Sequence, residues 1–118
     1  MLLLDSDRAE LRRGDILKLP EGHWNGPEGP PVHVMVLIDH NAGSGLSLVW
    51  VSGYDAGDIW FYFPASAKCD GAMGIDMQWL KSNWGQWFAY EWKGEMRVMD
   101  IKRVELLGKD QRTIVEKT

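Results

Sequence analysis

Basic residues are what this chain withholds. Between Lys18 and Lys68 it has no lysine and no arginine, while Glu21, Glu28, Asp39, Asp55 and Asp58 all fall in that stretch. The whole 118-residue chain carries a net charge of −4. Nucleic-acid binders show a basic patch or stripe, and none is visible. A polybasic membrane-surface site is excluded on the same ground. An acidic, non-basic stretch suits a basic protein partner, because complementary charge steers and orients association.

Cysteine is nearly missing. The single Cys69 rules out an internal disulfide. No neighbouring base or helix marks it as a nucleophile, so a structural or bystander thiol is the simpler reading. Long apolar runs are missing too. Met1-Leu2-Leu3-Leu4 is short, lacks a basic leader and is followed by Asp5 and Asp7. Neither a signal peptide nor a membrane span is expected, and the cytoplasm is the default location. The phosphate-cradling G-x-x-x-x-G-K-[ST] loop and the G-x-S-x-G nucleophile turn are both absent.

Metal ligands are few. His23, His33, His40 and Asp39 are the plausible set in the non-basic stretch. His33 and Asp39 alternate onto one strand face but sit roughly 20 Å apart at ~3.3 Å per residue. His40 points to the other face. No metal and no cofactor are expected.

Tryptophan, by contrast, is abundant, with seven copies. Some must be core in so small a domain, and any left outside are candidate binding anchors. Trp79, Leu80 and Trp84 recur at helical spacing, which reads as a buried face. Trp24 lies in the loop 21–31, which holds three glycines and three prolines. Trp60 lies on the strand I-W-F-Y-F, aromatic on both faces. By simple alternation Trp60 and Tyr62 face away from Ile59, Phe61 and Phe63, so one face exceeds what a core needs.

Val32 to Asp39 (V-H-V-M-V-L-I-D) is the strongest strand, apolar on both faces. A glycine-rich turn leads to a second strand over Leu46 to Ser52, and G-Y-D-A-G leads to a third over Asp58 to Phe63. Asp15 to Leu19, Trp87 to Lys93 and Met96 to Ile101 supply further strand segments, and Lys102 to Leu107 closes the chain before its charged tail. Asp76 reads as a helix N-cap and Gly85 as the helix stop. The expected fold is α+β, with about six mainly antiparallel strands in a curled, barrel-like sheet and one helix packed near residues 76–84. A single domain spans 1–118, with 1–13 as an N-terminal arm, helical over Asp7 to Arg12, and 108–118 as a charged tail.

Asp55 and Asp58 flank Gly57 at a strand entrance. Turn chemistry explains both, and a contact role toward a basic partner is the leading functional reading.

The order of R-G-D-I-L-K-L-P (Arg13 to Pro20), V-M-V-L-I-D (Val34 to Asp39), S-G-L-S-L-V (Ser44 to Val49) and M-Q-W-L-K-S-N-W-G-Q-W (Met77 to Trp87) resembles small tryptophan-rich α+β immunity proteins of bacterial polymorphic toxin systems. The likeness spans most of residues 12 to 101, and W-L-x-x-N-W-x-x-W is its most specific part. It implies a non-enzymatic cytoplasmic protein that binds a cognate secreted toxin in the producing cell and occludes its active site. On this reading the expected contact residues are Trp24, Glu28, Asp55, Asp58 and Trp60. The oligomeric state stays open.

R-G-D-I followed by a loop and V-M-V-L-I also looks like the start of the SH3-like barrel of toxin endoribonucleases. That alternative needs basic residues near the loop, such as Arg12 or Arg13 with His23. The G-D-I…H-V-M-V pattern resembles papain-like cell-wall peptidases more faintly, and no cysteine precedes His33 to supply their chemistry. A ligand-binding module using the Gly/Pro loop is the third reading.

Overall fold

The computed structural model describes residues 1–22 and 26–107; His23, Trp24 and the tail 108–118 lie outside the described residues. The described elements are β1 (Glu10–Arg12), β2 (Ile16–Leu19), β3 (Val32–Ile38), β4 (Leu46–Trp50), β5 (Ile59–Tyr62), β6 (Gly74–Asp76), α1 (Met77–Ser82), α2 (Trp84–Trp87), β7 (Ala89–Trp92), β8 (Glu95–Val98) and β9 (Glu105–Leu107). Three single 3₁₀ turns complete them.

Apolar residues on both faces of β3 and β4 place these strands at the centre of an antiparallel sheet in the order β5-β4-β3-β2-β9. Cross-strand register aligns Leu106, Leu17, Val34 and Trp50 in one row, and Val36, Leu48 and Phe61 in the next. Both rows belong to the hydrophobic core, except that Phe61 is half-buried and packs against it. Each fully buried leucine there contributes roughly 1.5–3 kcal/mol. The opposite face carries Leu107, Ile16, Met35, Val49 and Ile59 in a row. Lys18 sits between His33 and Glu105 on that face, with Nζ 3.3 Å from Glu105 Oε2.

The α+β architecture is as expected, but the sheet is open. β5 and β9 are its edges, while β1–β6 and β7–β8 form separate two-stranded pieces. A barrel would need β5 and β9 to pair. Instead Phe88 lies against β5, with its ring 5.2 Å from Trp60 and 5.4 Å from Phe61.

The N-terminal segment is not helical over Asp7 to Arg12. Six residues are too few for a helix without tertiary support, and extended pairing does more for Leu11. Strand β1 pairs with β6, opposing Leu11 to Ile75, and both side chains are fully buried. Leu3 is fully buried as well, and Leu2 bridges to Glu105. Buried Asp15 secures this segment: its Oδ2 accepts from Arg8 Nη2 and from the Arg12 amide, each at 2.6 Å.

Asp76 caps α1 as expected, accepting from the Gln78 amide at 2.9 Å. Gly85 does not end the helix. Asn83 does, by donating Nδ2 to the Trp79 carbonyl at 2.9 Å, a side-chain bond that competes with the helical ladder. Gly85 then falls inside the next turn, α2. There Trp84 donates Nε1–H to the Met99 carbonyl at 2.8 Å and stacks on Phe88 with ring centroids 3.7 Å apart and planes 2° from parallel. Lys93 (φ 52°) and Gly94 (φ 84°) form the two-residue loop of the β7–β8 hairpin, the left-handed geometry such loops require.

Candidate functional site

Strand β5 holds the local irregularity that builds the site. Leu48 pairs with Phe61 and Val49 pairs with Ile59, so Trp60 is the extra residue of a β-bulge. A bulge breaks alternation and re-aims a side chain. Alternation alone separates Trp60 from Phe61. The bulge brings both to Phe88, with the Trp60 and Phe61 ring centroids 5.1 Å apart. Trp60 also stacks on Trp50 at 4.6 Å. The excess aromatic surface therefore wraps one edge of the core instead of forming a separate face. Tyr62 and Ile59 remain exposed beside it.

Trp50 and Trp60 wall a cavity of about 270 Å³, completed by Asp55, Asp58, Ile59, Ala89, Tyr90 and Met99. The structure thus brings together three expected contact residues, Asp55, Asp58 and Trp60. The turn holding the two aspartates is fixed by backbone bonds: the Asp58 amide donates to the Asp55 carbonyl at 2.9 Å, and the Trp50 amide donates to the Asp58 carbonyl at 2.9 Å. Asp58 is exposed and Asp55 half-buried. Neither carboxylate joins an ion pair among the described residues.

Glu28 lies elsewhere. It is exposed and lines a second depression with Pro27, Gly29, Trp92 and Lys93. Gly26 seats this loop, because its φ is +68° and a Cβ there would run into the Trp92 indole. Trp24 lies outside the described residues, so no contact is assigned to it. Trp50, Tyr90 and Met99 were not among the expected residues. Strand pairing and the β7–β8 hairpin bring them in, and their spacing in sequence carries no signal.

Glu21 is an acidic residue of the non-basic stretch that does not face solvent. It is buried, with Oε1 3.6 Å from Arg97 Nε, beside the buried Tyr90 hydroxyl. None of those three atoms makes a hydrogen bond of ordinary geometry among the described residues. Burial, and then the Glu21 carboxylate, hold the Tyr90 phenol above its usual pKa.

The nucleophile candidates have structural roles. Cys69 is pushed up to about 11 by burial and by its hydrogen bond with Glu10, so it stays a thiol at neutral pH. Arg12 donates Nε–H to Glu10 Oε1 at 2.7 Å, which engages one of the two arginines an endoribonuclease reading could use. Among the described residues, no three His, Cys, Asp or Glu side chains converge as a metal site. No described helix is long and apolar enough to cross a membrane.

His33 and Ser52 do meet. The Ser52 hydroxyl oxygen accepts from the His33 amide at 2.9 Å and lies 2.8 Å from Nδ1. Burial, and then the charge on Lys18, hold the imidazole below its ordinary value of 6.5. The unfolded chain therefore takes that proton first, and His33 contributes stability fully present above 6.5 and lost as pH falls toward the depressed value. His33→Asn, which keeps a polar group within reach of Ser52, is expected to flatten the fall in urea midpoint between pH 7 and about pH 5. An equally steep fall in the variant would assign the acid sensitivity to another group.

The family described as Immunity protein 45 has a model that matches residues 3–99. No curated protein and no solved structure matches.

Proposed function

The chain belongs to the immunity protein 45 family, and from that membership we propose that it binds a cognate bacterial toxin in the cytoplasm of the producing cell and neutralises it by occluding the active site. The observation that carries the surface assignment is the cavity bearing Asp55, Asp58 and Trp60 together, within a stretch from Leu19 to Ala67 that holds no lysine or arginine. Unpaired carboxylates around an aromatic wall complement a basic partner: the charges speed and orient encounter, and the indoles supply the desolvated contact area. Glu28 and Trp24 belong to the same proposed interface through the Gly/Pro loop. No catalytic step, cofactor, nucleic acid or membrane enters this mechanism.

Co-expression tests it. The toxin encoded beside this protein, produced alone, is expected to stop growth of a sensitive host. Produced with this protein it is expected to be tolerated and to co-purify as a stable complex. Continued killing with both proteins folded and present would refute the reading.

A further inference from the structure

The cavity at Trp60 has a size and a wall composition that a general acidic surface does not need. At about 270 Å³ it falls below the roughly 300–1,000 Å³ of small-molecule pockets. It matches one long side chain better than a cofactor. Its flat surface comes from the indoles of Trp50 and Trp60, stacked 4.6 Å apart. Ile59 and Met99 add apolar wall, and Asp55 and Asp58 add the negative charge. Tyr90 lines the same cavity and is only 5% exposed, with its hydroxyl beside Glu21 and Arg97.

We infer that this cavity is the recognition pocket for one arginine side chain of the partner protein, an assignment that rests on the immunity reading above. The charge requires a cation, because none of the lining residues is basic. The walls select which cation. A guanidinium is planar and weakly hydrated, stacks on indole faces, and presents paired N–H groups that match a carboxylate. A lysine ammonium keeps a strong hydration shell that aromatic walls do not replace. The arginine stem packs on Ile59 and Met99, leaving its head to the two carboxylates. The bulge at Trp60 is what makes this geometry: simple alternation from Phe61 would put the indole on the other side of β5, away from Trp50.

The test titrates the whole protein with N-acetyl-arginine methylamide while the indole N–H resonances are followed by NMR. The lysine and norleucine analogues serve as comparators. The resonances of Trp50 and Trp60 are expected to move with the arginine compound at roughly tenfold lower concentration than with either comparator, and Asp58→Asn is expected to weaken that binding several-fold. Equal response to lysine would reduce the pocket to a charge effect, equal response to norleucine would make it an apolar site, and no response would remove it; each overturns the inference. The toxin complex supplies an independent arm. One interfacial arginine changed to lysine in the toxin is expected to weaken binding at least tenfold. A toxin that binds with no arginine so sensitive sinks the pocket and leaves the immunity reading standing. Seating of the arginine compound by a protein that neutralises no toxin supports the pocket and sinks the immunity reading.

Discussion

Trp84→Ala is expected to remove about 3–5 kcal/mol of stability, a large part of the roughly 5–15 kcal/mol that holds a domain of this size together. Three losses coincide at this side chain. The indole is 4% exposed, so its whole area returns to water in the unfolded reference while a void is left in the fold. Its stack on Phe88, at 3.7 Å between centroids, disappears. The Met99 carbonyl loses its 2.8 Å donor in a buried setting, which by itself costs about 1–3 kcal/mol. Trp84→Phe retains a stacking ring and loses only the hydrogen bond and part of the volume, so it is expected to fall well short of the alanine effect. Urea denaturation of the two variants checks this. Similar midpoints for both would mean that the ring, and not the hydrogen bond, is unimportant, contrary to the packing described above.

Reversing the charge at the cavity is expected to act on association and leave folding intact. Asp55→Lys with Asp58→Lys should weaken toxin binding by about 10²–10³-fold, equivalent to roughly 3–4 kcal/mol. Much of the loss should appear as a slower association rate with a reduced dependence on salt, because steering is a long-range effect screened by ions. The two side chains make no ion pair among the described residues, and the turn is held by backbone bonds. Unfolding stability should therefore change by no more than surface substitutions normally cause, about 0.5 kcal/mol each. Surface-immobilised toxin with the variant in solution at two salt concentrations provides the measurement. An unchanged affinity in a folded double variant would move the interface away from Asp55 and Asp58.

Central strands and helix start were legible because each had a strong local signal. β3 and β4 announce themselves by apolar residues on both faces, and Asp76 by a capping residue before a helical apolar pattern. The three-residue strands β1 and β6 gave no such signal, since three residues cannot establish a period; their pairing is a tertiary event that buries Leu11 against Ile75. Asn83 carries no comparable signal as a helix stop, because glycine is the commoner terminator. At the site, Asp55, Asp58 and Trp60 could be read from composition and turn position. Trp50, Tyr90 and Met99 could not, because a strand register and a hairpin thirty or more residues away bring them there. The bulge was invisible for the same reason: register shifts are properties of two strands, and one strand's sequence does not state them.

The pairing of β2 with β9 sets when the protein can begin to work. Ile16 opposes Leu107, the Leu3 amide donates to the Val104 carbonyl at 2.8 Å, and the Leu106 amide donates to the Met1 carbonyl at 2.8 Å. Strand β2 thus waits for β9. At about 5–20 residues per second, β9 is synthesised on the order of five to twenty seconds after β2. Contacts so distant along the chain also slow the search that follows. A nascent chain that has not yet released β9 cannot complete this sheet. On the function proposed above, a cell that starts translating toxin and protector together lives through that delay, and a lead in translation for the protector is the simplest way to shorten it.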